Sequence, residues 1–227
     1  MDIISDSFIN DQPIVNTPYG KFILEPKDGV CDHIAKGGFW DSWLLPFFDG
    51  LTKEQVVLEV GSHVGLHTVY MASKCKFVHS FEPQIINYRR LMKNVELNNL
   101  TNVQIYNIAL YDKNIKMSIQ GATDQKITNY DRGQACSYSI EENNNGDIDA
   151  RTLDSYNFPQ IDFIEIDAQD LDFQVVIGGL EIIKKCRPAI IYECGMAREN
   201  SKFHKLFAEL NYNIREVAGQ NYLATPR

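Results

Sequence analysis

The segment Val57-Leu58-Glu59-Val60-Gly61-Ser62-His63-Val64-Gly65-Leu66-His67-Thr68 runs from apolar residues through two glycines into a helical period. A glycine-rich turn after the first strand of an open α/β sheet is a ligand-binding place, because small residues let a ligand approach the backbone. The dinucleotide fingerprint GxGxxG needs glycine at its third position, where this chain has His63. NAD and FAD are therefore disfavoured. The pattern is instead E/DxGxxxG, in which Glu59 faces the amino-acid end of a ligand lying on Gly61 and Gly65. A second carboxylate, Glu82, ends the next strand-like run just before Pro83. Its two oxygens accept from both hydroxyls of a ribose, which makes it a diol clasp.

His63 and His67 stand four apart, a spacing that suits two ligands of one metal ion. No third ligand follows at a recognisable spacing, so the expectation is a metal-free site, with His63 lining the cofactor or acceptor pocket. Glu193 closes another apolar run and is placed to line the acceptor side. Cys31, Cys75, Cys136, Cys186 and Cys194 are odd in number and form no CxxC, so they read as reduced structural thiols. A reducing, cytoplasmic compartment is the matching expectation.

Positioning these groups requires strand tips brought side by side. From residue 55 onward, β-branched runs alternate with segments of helical period, the pattern of a parallel sheet covered by helices. The expected strands are 55–60, 76–81, 103–108, 161–166 and 187–192, with helices over 64–73, 84–98 and 172–185. A further helix over 201–210 leads to a hairpin of 212–217 and 221–224 about Gly219. Ahead of this core, residues 1–54 read as a cap holding a strand at 21–24 and an aromatic helix over 38–48, cut short by Pro46. Residues 121–150 lack periodicity and read as an insertion, either a substrate lid or a surface loop. The whole is one domain.

Composition agrees. With 227 residues, 44% hydrophobic and 23% charged, the chain is long enough to bury a sizeable core. Its 22 Lys and Arg against 30 Asp and Glu give a formal charge of -8, which opposes a grip on a nucleic-acid backbone. No run of the sequence reaches the roughly 20 apolar residues of a membrane-spanning helix. A small or neutral partner is expected.

Five stretches, taken together, resemble the FkbM-type methyltransferases, a branch of the class I S-adenosylmethionine-dependent fold. They are VVLEVGSHVGLHTVYMA at 56–72, VHSFEPQIINYRRLMKNVELNN at 78–99, NVQIYNIALYDKN at 102–114, TLDSY at 152–156 and IDFIEIDAQDLDFQVVIGGLEIIKKCRPAIIYE at 161–193. The resemblance implies a Rossmann-like α/β fold, with a seven-stranded, mostly parallel sheet, a C-terminal antiparallel hairpin and helices on both faces. It implies S-adenosyl-L-methionine as cofactor, with Glu59, Gly61, Ser62, His63 and Gly65 at its methionine end. Glu82 would hold the ribose, Asn107 and Ala109 the adenine, and Asp41, beside Trp40, would reach the cofactor as well.

Methyl transfer to a hydroxyl needs a positioned acceptor and a group to take its proton. By the same resemblance Asp167 is the first catalytic candidate. The family pattern IKIDVEG stands here as Ile164-Glu165-Ile166-Asp167-Ala168-Gln169-Asp170. Glu165 thus replaces a lysine, Gln169 a glutamate and Asp170 a glycine. Either Asp170 supplies the missing carboxylate, or the acceptor differs from the family norm. The expected activity is O-methylation of a hydroxyl on a sugar in a glycan or glycoconjugate. A small-molecule or polyketide hydroxyl, or a cofactor-binding module without catalysis, are the other readings.

Overall fold

The computed structural model describes residue 9 and residues 12–119, 139–195 and 197–227. An antiparallel hairpin of β1 (Ile14–Thr17) and β2 (Gly20–Ile23) precedes helices α1 (Gly29–Ala35) and α2 (Leu45–Asp49). Then β3 (Val56–Val60), α3 (Leu66–Lys74), β4 (Phe77–Phe81), α4 (Ile85–Leu97) and β5 (Val103–Tyr106) alternate. Four short strands follow, β6 (Ala109–Leu110), β7 (Ile115–Ile119), β8 (Ile140–Glu142) and β9 (Ile148–Arg151). The chain closes with β10 (Phe163–Ile166), α5 (Asp172–Ile177), α6 (Leu180–Cys186), β11 (Ala189–Glu193), α7 (Ala197–Glu209), β12 (Tyr212–Ala218) and β13 (Asn221–Pro226).

The large sheet has seven strands in the order β12-β13-β11-β10-β3-β4-β5. β11, β10, β3, β4 and β5 pair in parallel, whereas β13 runs antiparallel to both its neighbours. Every residue of β3 is buried, as expected of a central strand covered on both faces. Because side chains alternate along a strand, Leu58, Ile164 and Ile190 join Val176, Ile183 and Phe203 of α5, α6 and α7 on one face. Val57, Phe163 and Ile191 join Ile34, Phe48 and Met71 of α1, α2 and α3 on the other. That alternation puts Glu59 and Glu165 on the second face, beneath the N-terminal helices.

Three local expectations change. The helix expected over 172–185 breaks at Gly178-Gly179, where a Cβ on Gly178 would come within 2.0 Å of the Tyr111 carbonyl oxygen. The α6 N-terminus is capped from the TLDSY stretch, with Asp154 accepting from the Glu181 and Ile182 amides at 3.1 and 2.9 Å. Pro46 opens α2 rather than ending a helix, since its missing N–H is harmless in a first turn. Finally, β8 and β9 fall inside the expected insertion and complete a four-stranded sheet, β6-β9-β7-β8. Residues 120–138 of that stretch lie outside the described residues.

Candidate active site

The turn after β3 is fastened to its neighbours by backbone and side chains together. The Gly61 and Ser62 amides both donate to the Phe81 carbonyl, at 2.9 and 3.2 Å. Gly61 has φ +88, and a Cβ there would lie 1.9 Å from the Asp167 carbonyl oxygen. Only glycine fits this crossing of β3 and β10. His63 is also left-handed, at φ 49, and its amide donates to Glu82 Oε2 at 2.8 Å. Glu82 Oε1 accepts from the Gln84 amide at 2.8 Å, so both carboxylate oxygens are aimed by main-chain donors.

Above this turn opens a cavity of about 390 Å³, lined among others by Gly61, Glu82, Ala109 and Asp167. Trp40 and Asp41 close it from the N-terminal side, with Asp41 fixed at φ 51 and accepting from the Trp43 indole at 3.2 Å. Of the residues singled out in the sequence, Asp41, Gly61, Ser62, His63, Glu82, Ala109 and Asp167 line this one cavity. Glu193 lines it too.

Other expected site residues serve it from outside. Glu59 does not face the cavity: it is 1% exposed, and its carboxylate accepts from the Thr68 and Ser80 hydroxyls beneath the turn. Gly65 caps α3 at φ +88, where a Cβ would meet Leu91 at 2.3 Å, so it is a packing glycine. The Asn107 amide donates to the Glu82 and Pro83 carbonyls, each at 2.9 Å, and holds the strand tip in place of an adenine; Ile108 and Ala109 line the wall instead. Asp170 is exposed at φ 71 and borders a separate, smaller recess with Glu193 and Phe203, so it does not supply the carboxylate missing from position 169. The loop there turns outward through two successive left-handed residues, Gln169 and Asp170.

The sequence reading missed what Gln169 does. Its side-chain amide donates to Asp167 Oδ1 at 3.1 Å and orients that carboxylate at the cavity wall. It also missed Asp172, whose oxygens accept from the Glu193 and Ala168 amides at 2.9 and 3.2 Å and tie the β10 and β11 tips together. Glu165, noted only as a departure, lines the cavity at 4% exposure.

The two histidines go to different groups. His63 lies with Asp28 and Cys31, and His67 with Glu59 and Glu165, ligand atoms within each group lying within 4.8 Å of one another. Spacing along the chain could not show these partners, because they come from other elements. His67 Nε2 contacts the Trp40 carbonyl at 3.1 Å; a carbonyl only accepts, so Nε2 carries the proton. The His63 imidazole faces Asp28 at 3.8 Å, and burial pulls its pKa down to about 4. It is a neutral ring, and its tie to the site is its backbone amide.

Burial dominates the carboxylates. It pushes Glu59 up to about 7 against the donors Thr68 and Ser80, and Asp167 up to about 6, with Glu193 and Asp41 adding to the rise. Glu165 is held well above the usual range by burial and by Glu59 beside it. These groups bind protons more tightly folded than unfolded, so their protonation stabilises the fold, and this contribution is lost as pH rises through about 6 to 7. The ligand-free protein is expected to melt several degrees lower at pH 8 than at pH 6, at about 2–4 °C per kcal/mol for this size. Glu165→Gln should flatten the profile. Calorimetric scans of both proteins check this, and parallel profiles would contradict it.

Among the described residues no helix is long and apolar enough to cross a membrane. Among the described residues, Cys31, Cys75, Cys186 and Cys194 form no disulfide.

Comparison with known proteins adds to this geometry. A sequence model described as the methyltransferase FkbM domain matches residues 59–220. No curated protein matches the chain by sequence. Among solved structures, a methyltransferase FkbM from Methylobacillus flagellatus KT aligns with a TM-score of 0.55 at 13% identity, covering 76% of this chain and 44% of that one. Trm5b from Pyrococcus abyssi aligns with a TM-score of 0.51 at 13% identity, over 94% of this chain and 54% of that one. An rRNA methylase from Streptococcus thermophilus gives 0.50 at 9% identity, over 79% and 92%. The chain spans less than half the length of the Methylobacillus flagellatus protein. At such identities these likenesses show the fold, a class I methyltransferase-like α/β architecture with a large mixed sheet.

Proposed function

The chain belongs to the FkbM methyltransferase domain family, and from that premise we propose that it is an S-adenosylmethionine-dependent O-methyltransferase acting on a sugar hydroxyl. The observation that carries this reading is the placement of an oriented acid, Asp167, on the wall of the cavity that also holds the Gly61 turn and the Glu82 carboxylate.

The residues fit the cofactor. Glu82, its carboxylate aimed by two main-chain donors, stands on the cavity wall where it would accept from a ribose diol, and Ile108 and Ala109 offer an apolar wall to a base. When bound, S-adenosylmethionine would supply a sulfonium methyl group for transfer to the acceptor oxygen, the carbon–sulfur electron pair leaving with sulfur. Asp167 takes the acceptor's proton, and Gln169 holds its carboxylate in line. This chemistry calls on no metal. Gln169 keeps the acid oriented where the family motif has glutamate, which favours catalysis over a binding module that has lost activity.

Glu82→Ala removes both acceptors from the clasp and is expected to weaken S-adenosylhomocysteine binding by about 1.5–3 kcal/mol, the range for charge-assisted hydrogen bonds. Equal calorimetric affinity in the variant would remove the ribose assignment. The reaction itself is tested with methyl-labelled S-adenosylmethionine and a panel of sugars and glycosides, with products resolved by mass spectrometry and NMR. Label on oxygen supports the proposal; label on carbon or on RNA overturns it.

A further inference from the structure

The side walls of the cavity carry charge of one sign. Five of its lining residues are carboxylates, Asp41, Glu82, Glu165, Asp167 and Glu193, and among the described lining residues there is no Lys or Arg. Glu165 is the most telling. It is 4% exposed, it borders the cavity, and no described residue donates a hydrogen bond to its carboxylate. Its neighbour across the sheet is another carboxylate, since β10 and β3 set Glu165 opposite Glu59. Glu59 already accepts from Thr68 and Ser80, whereas the near nitrogen-bearing neighbour of Glu165 among the described residues is the His67 ring, whose Nε2 proton is committed to the Trp40 carbonyl. Ligand-free, Glu165 avoids the desolvation cost of a buried carboxylate by holding a proton, and a cation docked beside it is the other way to avoid it.

The cofactor accounts for part of this demand only. S-adenosylmethionine has an ammonium, a sulfonium and a carboxylate, one net positive charge. Beyond the ribose-facing Glu82, the cavity presents Asp41, Glu165, Asp167 and Glu193.

We propose that the methyl acceptor is itself a cation, a hydroxyl-bearing molecule whose protonated amine docks against Glu165, Glu193 and Asp41. The proposal rests on the methyl-transfer reading and names the acceptor class that reading leaves open. A neutral sugar donates hydrogen bonds but leaves the charge unbalanced, and a phosphate-bearing acceptor or an RNA brings more negative charge to the same wall. An ammonium supplies charge and donors together. Trp40 and Trp43 line the same cavity, and an aromatic face also attracts a cation. A protonated nitrogen has no lone pair, so it docks, and the neighbouring hydroxyl is the group that receives the methyl. The charges agree with this picture: burial, then Glu193 and Asp41, hold Asp167 above its ordinary range, and burial, then Asp170 and Asp41, do the same for Glu193.

The chain has two tryptophans, and both line this cavity, so intrinsic fluorescence reads the site directly. The experiment titrates the protein with S-adenosylhomocysteine first, then titrates the saturated complex with glucosamine, glucose and glucose 6-phosphate. Glucosamine is expected to bind at least 10-fold tighter than glucose, and glucose 6-phosphate weakest of the three. In Glu165→Gln and Glu193→Gln that ratio should collapse towards one, and because it is taken within each variant, altered cofactor affinity does not enter it. If S-adenosylhomocysteine does not bind, the methyl-transfer reading fails. If it binds while glucosamine and glucose bind alike, none of the three binds, the phosphate is preferred, or the ratio survives both substitutions, this inference alone fails. Manganese that quenches both tryptophans and excludes glucosamine would likewise overturn it, by making the carboxylates metal ligands.

Discussion

Asp167→Asn is expected to lower turnover by roughly 10²-fold or more, the usual contribution of a positioned general base, while cofactor affinity changes little. The substitution keeps the shape, so Gln169 still finds an oxygen to donate to, but the group can no longer take a proton. In the wild type, turnover should fall as pH drops below about 6, because burial and the charges of Glu193 and Asp41 raise the Asp167 pKa to that value. The variant should lack this limb. Asp170→Asn should leave turnover near normal, since Asp170 is exposed and borders the neighbouring recess. Paired kinetics across pH settle the matter, and an active Asp167→Asn beside an inactive Asp170→Asn would reverse the two roles.

Gly61→Ala should have the other large effect. A Cβ at this residue collides with the Asp167 carbonyl at 1.9 Å, and the backbone is left-handed at φ +88. The neighbour is main chain in the middle of the sheet, so relief requires parting β3 from β10. Left-handed strain and overpacking each cost about 1–3 kcal/mol, so a loss of roughly 3 kcal/mol or more is expected, with cofactor affinity down at least 10-fold. Gly219→Ala is the control. It too is left-handed, at φ +55, but nothing lies within 4 Å, so only the strain of about 1–2 kcal/mol remains. Equal melting temperatures for the two variants would show that the crossing is not tight.

Local pattern carried most of this fold into view. The β3-turn-α3 unit, the Glu82 strand tip and the closing hairpin were legible because hydrophobic period and glycine placement are written along the chain. What stayed hidden depends on which strands lie side by side. Glu59 reads as a ligand contact by motif, yet Thr68 and Ser80, brought in by α3 and β4, draw its carboxylate under the turn. Glu165 reads as a departure, and its meaning appears only when the β10–β3 register sets it against Glu59. Asn107 was assigned to a ligand, but the nearer carbonyls of Glu82 and Pro83 claim its amide. The break at Gly178 was invisible for the same reason, since the Tyr111 carbonyl that demands it is remote in sequence.

Whether the Gly61 turn binds S-adenosylmethionine is answered by isothermal titration of the wild-type protein with S-adenosylmethionine, S-adenosylhomocysteine and NADH. Saturable, one-site binding of the first two and no binding of NADH are expected, because His63 occupies the position where a dinucleotide needs glycine. Saturable binding of NADH, or no heat from either sulfur nucleoside, would contradict it.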